Sequence, residues 1–417
     1  MKVLSRIFSL GALVASRVVV VTGQEDDAST TAPSVTSEAT ETQQPTPSST
    51  PQPAEEKDCG CYVINGSNPT YYEKRLFYDF RDLSEYAGEV DDVVTDADDA
   101  SDAPPSSKYF EKKDWKKTWK LSDWTHGIAD DDPLIVGEHV PRVYSPGNVY
   151  VEEDKGSEGP DTYVSIRTQR VADFQSCGEF SSVDEYHFLS LRVLARTVGD
   201  TGGVTSIFTY RSADELADIQ EADIEFITRE ADDRVHYVNN PAYTLEGENF
   251  PEATRNVSIP GNRTFSDWLV HRFDWTPERS IWYIDGVQTA SIAFQVPRDP
   301  SRIVFNVWSD GGYWSGFMAE GDQAAFHIRW IEMVYNTTDP EGGSCHSVCS
   351  IDDPAAVNRG AGSIVTLWDN PASSRPRPPA WLVGWMRGCT GGAPLLLSLL
   401  PSSWVACILL FLVAWHV

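Results

Sequence analysis

Between residues 71 and 336 the chain is built from short runs in which β-branched and aromatic residues alternate with polar ones. They are TYVSIRT, EYHFLSLRVLAR, VTSIFTYR, ADIEFIT, RVHYVNN, WLVHRFDW, SIWYIDG, RIVFNVW and AAFHIRWIEMVYN. Gly, Pro, Asn and Asp separate the runs and few stretches carry a 3.6-residue period, so the pattern predicts many short strands. A parallel sheet needs a crossover helix between strands, and none is signalled, so the expectation is an all-β fold of two packed antiparallel sheets. No unit repeats every 20 to 50 residues, which excludes propellers and solenoids.

One run is chemically unusual. In QEADIEFI, residues 220 to 227, Glu221, Asp223 and Glu225 alternate with Ala222, Ile224 and Phe226. Successive strand side chains point to opposite faces, so the apolar trio marks the core side and the three acids share the other. The run lies well inside the series of strands, which predicts an interior position in its sheet. Like charges crowded there raise at least one pKa, a cost that a purely structural sheet has no reason to carry. Residues four apart on a strand have Cα atoms roughly 13 Å apart. Two Glu side chains leaning inward on a curved sheet close most of that gap toward the 5 to 5.5 Å that a retaining glycosidase requires of its two carboxyls. Asp223, between them, is placed to hydrogen-bond one Glu and hold its charge, which splits the pair into an ionised and a protonated member.

The ends differ in composition from the middle. Residues 1–23 read as a signal peptide, with Lys2 and Arg6 ahead of the apolar IFSLGALVA. Residues 24–57 are dominated by Ser, Thr and Pro and read as a disordered stalk. The folded domain is assigned to residues 58–350, a linker with a possible anchor-attachment region to 351–394, and a hydrophobic tail to 395–417. That tail ends without a basic flank, which favours a GPI anchor over a true membrane span. Sequons at Asn65, Asn256, Asn262 and Asn336 support export and glycosylation, and the expected location is the cell surface or wall. Of seven cysteines, Cys59 and Cys61 precede the domain while Cys345 and Cys349 follow it. Bridges between the two clusters tie the ends together; bridges within each cluster are the alternative. Cys177 reads as a buried free thiol. The formal charge of −29 argues against nucleic acid as a partner and leaves an uncharged polysaccharide unaffected. The acidic stretch 88–105 reads as a solvated loop.

The segment GGVTSIFTYRSADELADIQEADIEFI resembles the core of glycoside hydrolase family 16, whose motif is E-(I/L)-D-(I/V/F)-E; Ala222 stands where Ile or Leu is usual. QSCGEFSS before it, and HRFDWTPERSIWYIDGVQTA, RIVFNVWSDGG and FHIRWIEMVYN after it, extend the resemblance over about residues 71 to 336. It implies a β-jelly-roll sandwich with the active-site cleft on the concave face, no cofactor or metal, and a monomer. It also implies Glu221 as nucleophile, Asp223 as its helper and Glu225 as acid/base. Trp308, Tyr210, His236, Asn239 and Trp314 are expected to line the cleft, since sugar rings stack on flat aromatics and their hydroxyls need amide or imidazole partners. Trp275 and Asp285-Gly286 read as core and turn. Where lichenase-like members carry Trp-Asp before the first catalytic Glu, and Arg after the CxE segment, this chain has Ile219-Gln220 and Ser181. The implied activity is that of a retaining endo-β-glucanase on 1,3- or mixed 1,3/1,4-linked β-glucan. A wall transglycosylase using the same residues and a non-catalytic carbohydrate-binding protein are the alternatives.

Overall fold

Each of the nine alternating runs forms a strand in the computed structural model, among them Thr162–Arg170, Leu189–Gly199, Val204–Arg211, Gln220–Ile227 and Gln323–Tyr335. The structure describes residues 53–54, 59–65, 71–127, 140–156, 161–244, 247–336, 347–352 and 364–369, with the backbone alone for 53–54, 216 and 364–369. The leader, nearly all of the stalk, the hydrophobic tail and Cys345, Cys389 and Cys407 lie outside the described residues.

One sheet holds the acids. Its order is Trp119–Leu121, Gln175–Ser182, Arg302–Trp308, Val204–Arg211, Gln220–Ile227, Arg234–Asn240 and Thr254–Ser258, every pairing antiparallel. The acid strand Gln220–Ile227 therefore has two strands beyond it on one side and four on the other. The second sheet runs Val287–Ile292, Ser280–Ile284, Leu269–Trp275, Leu189–Gly199 and Gln323–Tyr335. Its long last strand then pairs with Thr162–Arg170 through one half and with Lys74–Asp79 through the other.

The two sheets are joined rather than merely stacked, because one strand serves both. Residues 175–177 run parallel to Arg142–Tyr144, whereas residues 178–181 pair with residues 304–307 of the acid sheet. Gly178 marks the crossing. A Cβ there would stand 2.6 Å from Ile166 Cγ2 and 3.0 Å from the carbonyl oxygens of Arg167 and Asn148, so the close approach of three chain segments demands glycine. Between the faces lies one apolar core that includes Ala222, Ile224 and Phe226 with Phe180, Leu191, Val193, Ile207, Phe305, Phe326 and Ile328. Its burial is the dominant favourable term for the fold.

A smaller sheet combines Tyr71–Tyr72, Cys61–Val63, Ser347–Ser350, Ile364–Asp369 and Pro53–Ala54. Cys59 is bonded to Cys349 and Cys61 is also disulfide-bonded, so the Cys59 bridge joins the two cysteine clusters. This sheet takes strands from stretches read as linker and stalk, and the folded body therefore extends past residues 58–350. The acidic stretch 88–105 is also more ordered than a loop. Asp96 caps the short helix Ala97–Ser101, and Ala100 is buried against Val143, Val171 and Phe174.

Candidate active site

Alternation along the acid strand puts Ala222, Ile224 and Phe226 into the core and Glu221, Asp223 and Glu225 on the face away from it. Both faces are covered: the three carboxylates are only 8%, 4% and 8% exposed. Burial pushes Glu221 and Glu225 up to about 7. Asp223 is raised well above its ordinary value, by burial first and then by the charges of Glu221 and Glu225. The hydrogen bond between Asp223 and Glu221 lowers the pKa of Glu221, which supports the ionised form of that neighbour.

The neighbouring strands supply the partners. Across one edge, Ser206, Phe208 and Tyr210 stand opposite Glu225, Asp223 and Glu221. Across the other, His236, Val238 and Asn240 face Glu225, Asp223 and Glu221 in the same order. Asn240 Nδ2 donates to Glu221 Oε1 at 2.7 Å and to Asp223 Oδ2 at 3.0 Å. Its Oδ1 accepts the Ala242 N–H at 3.2 Å, which fixes the amide orientation. The peptide that follows, Asn240–Pro241, is cis. Glu225 receives the Trp314 indole N–H at 3.1 Å on Oε2 and, more weakly, the Ser206 hydroxyl at 3.4 Å on Oε1.

The structure sorts the residues expected around these acids. Trp314 touches Glu225 directly. His236 faces Glu225 in register and packs edge-to-face on Trp314, with ring centroids 5.0 Å apart. Tyr210 faces Glu221, and burial pushes its hydroxyl pKa up. Trp308 lies on the acid face one pair beyond Glu225, buried among Tyr144, Cys177, Val204, Ile227 and Trp314 and capped by the Arg142 guanidinium at 5.0 Å; it packs the end of the site instead of offering an open ring. Asn239 does not belong to the site. It is paired with Ala222, on the core side, where its Nδ2 donates to the Phe294 carbonyl at 2.9 Å.

Asn240 was not read from the sequence, nor was Glu179, a fourth carboxylate on this face. Glu179 pairs with Asn306, which pairs with Ser206 and hence lies in the row of Glu225. It accepts from Ser122 at 2.6 Å, Trp124 at 3.3 Å and Asn306 at 3.3 Å, and burial raises its pKa. Trp275 is core, its indole donating to the Pro297 carbonyl, and Asp285-Gly286 form a left-handed hairpin turn. Cys177 is a free, buried thiol pushed up to about 12 by burial. Among the described residues no group of three His, Cys, Asp or Glu is arranged to hold a metal. A cavity of about 610 Å³ opens elsewhere, against Tyr72, Trp275 and Tyr283; its one buried acid, Asp274, is held by Arg272 at 2.7 Å.

Fold and site together define an all-β protein with a buried multi-carboxylate strand. The model of the family Glycosyl hydrolases family 16 matches residues 139–332, a stretch that includes the acid strand. The Beta-glucanase of Paenibacillus polymyxa is 26% identical over 162 residues, covering 38% of this chain and 65% of that protein. The Beta-glucanase of Bacillus subtilis (strain 168) is 27% identical over 158 residues, covering 37% and 62%. The match therefore spans just under two thirds of these relatives' lengths. Among solved structures, the Bacillus licheniformis beta-glucanase aligns at a TM-score of 0.41 and 21% identity over 52% of this chain and 92% of that one.

Proposed function

We propose that the protein is a retaining endo-β-glucanase that cleaves 1,3- or mixed 1,3/1,4-linked β-glucan, outside the cell and anchored at the surface or wall. The observation that carries the reading is the asymmetric support of two buried glutamates on one strand. Glu221 is held by Asn240 and by a hydrogen bond with Asp223, whereas Glu225 has a single good donor, Trp314. Donors to a carboxylate favour its charge. Glu221 is accordingly the nucleophile: its oxygen bonds to the anomeric carbon as the glycosidic bond breaks, and Glu225 gives its proton to the departing oxygen. Water, deprotonated by Glu225, then releases the sugar and restores both groups. The Cys59–Cys349 disulfide fits an oxidising compartment, and release of the native protein by a phosphatidylinositol-specific phospholipase tests the anchor.

The reaction is tested with purified protein on laminarin and lichenan. The first product observed by proton NMR is expected to be the β-anomer, and an initial α-anomer overturns the double displacement. Glu221→Gln abolishes turnover, while Glu225→Gln retains glycosyl transfer from substrates with activated leaving groups, which need no protonation. Products longer than the substrate identify a transglycosylase. Binding without turnover identifies a carbohydrate-binding protein.

A further inference from the structure

The chain turns directly after the acid strand, and two consecutive charged residues of that turn reach the groups that touch Glu225. Arg229 Nε donates to the Trp314 carbonyl at 3.1 Å and its Nη2 to the Tyr313 carbonyl at 2.8 Å. Its Cδ fills the space beside Gly316, where an added Cβ would stand 2.4 Å away. Arg229 thereby ties down the loop from which Trp314 donates to Glu225. Glu230 Oε2 accepts from His236 Nε2 at 2.8 Å. His236 in turn stands across the register from Glu225 and packs on Trp314.

We propose that Arg229 and Glu230 are positioning residues for Glu225: Arg229 sets the Trp314 indole N–H on one carboxyl oxygen, and Glu230 sets the orientation of His236 against the same group. Among the described residues neither Arg229 nor Glu230 hydrogen-bonds Glu225 itself. Their effect passes through a fixed loop in one case and a fixed imidazole in the other, which is how outer partners commonly tune a reactive group. The acid/base role of Glu225 rests on the proposed function; the brace itself is a matter of geometry.

The electrostatic surroundings decide the sign. Glu225 is faced by Asp223 and Glu221 on its own strand, by Ser206 and His236 on the neighbouring strands and by Trp314 from the loop. His236 is faced by Glu225, Glu230, Trp314 and Asn256, whose Nδ2 lies 3.4 Å from Nε2. Glu230 has Arg229 and Arg234 nearby as well as His236. Glu230 holds His236 across the register from Glu225, and the charge interaction with His236 lowers the pKa of Glu225. Glu230→Gln loosens the hold on His236 and weakens that interaction, so Glu225 keeps its proton to higher pH and the basic limb of the rate profile moves upward. Arg229→Lys preserves the charge but loses the fork that spans two carbonyls. It lowers kcat on polymeric glucan on the order of tenfold, with KM within about twofold, since misplacement of a catalytic contact is read in the transition state.

The test follows wild type, Arg229→Lys, Glu230→Gln and the charge-preserving Glu230→Asp, each checked for an unchanged melting temperature. Rate profiles are recorded on glucan and on an aryl glycoside with an activated leaving group. The expected result is a loss confined to glucan in Arg229→Lys, an upward basic limb in Glu230→Gln and restoration toward wild type in Glu230→Asp. Equal losses on both substrates with no change in the limb overturn the proposal. A second readout needs no turnover: the Trp314 indole N–H resonance, assigned by its disappearance in Trp314→Phe and followed through pH. A shifted or broadened resonance in both variants supports the brace even if the wild type proves inactive, in which case only the glucanase reading fails. An indole resonance that titrates identically in all forms overturns the brace whatever the activity.

Discussion

Asn239 and Asn240 are chemically identical neighbours with opposite work, and the alternation of the strand is the whole of the difference. Asn240 donates to Glu221 and Asp223; Asn239 faces the core and bonds the Phe294 carbonyl. Removing a donor from a buried carboxylate raises its pKa. Asn240→Ala is therefore expected to move the acid limb of the rate profile to higher pH, because in the proposed reaction Glu221 has to lose its proton before it can attack. A hydrogen bond to a charged group contributes about 1.5–3 kcal/mol, which corresponds to roughly a 10- to 100-fold fall in kcat/KM. Asn239→Ala should leave the limb in place and lower the melting temperature. Rate profiles and thermal denaturation of the two variants check both halves. The pattern contained part of this answer: His236 and Asn239 are three apart, so a regular strand cannot show both to one face, and His236 with Asn240 is the consistent pair.

At the scale of elements, what was legible is what two-residue alternation encodes. The acid strand and its apolar inner trio follow from QEADIEFI alone, its interior position follows from its place in the series of runs, and the nine strongest runs are all strands. Short or exposed edge strands such as Trp119–Leu121 and Thr254–Ser258 carry too few alternations to register. The corner strand Gln175–Ser182 escaped for a different reason. Its residues look like any other strand, and its passage from one sheet to the other depends on what packs against Gly178, which sits next to Ile166, Arg167 and Asn148 only after folding. The same holds for Arg229 and Glu230, whose partners lie in a distant loop or across a strand pair. A Gly178→Ala variant tests the corner. Two of the three close atoms are backbone carbonyl oxygens at 3.0 Å, so the new methyl has little room and overpacking costs roughly 1–3 kcal/mol. For a domain of this size the melting temperature should drop by about 2–4 °C per kcal/mol, while the limbs of the rate profile stay in place. A melting temperature equal to wild type would show that the corner yields more easily than its geometry implies.

For the whole molecule, the buried titratable groups set a stability optimum that is more acid than the usual one. Burial raises Glu221 and Glu225 from 4.5 to about 7 and raises Asp223 well above its ordinary value. The folded state therefore binds more protons than the unfolded state above pH 4.5, and by linkage stability falls as pH rises through that window. His271 and His327 act with the opposite sign. Burial lowers both from 6.5 to about 3, so below pH 6.5 the unfolded chain takes up protons that the folded one refuses, and stability falls as pH drops. Near pH 6 these acids, together with Glu179, which burial also raises, outweigh the two histidines. Below roughly pH 4 the carboxyls are protonated in both states and only the histidine effect remains. The two slopes cross at about pH 4–5, and self-repulsion from a formal charge of −29 at pH 7 deepens the loss on the neutral side. Thermal denaturation between pH 3 and 8 should show a maximum in that interval. Glu225→Gln removes one raised carboxyl, so its melting temperature should match wild type near pH 4 and exceed it near pH 8, by the equivalent of about 1–3 kcal/mol. A wild-type melting temperature that climbs steadily from pH 5 to 8, or a Gln variant with no advantage at the alkaline end, would mean that the strand carries its charges without the cost that burial assigns them.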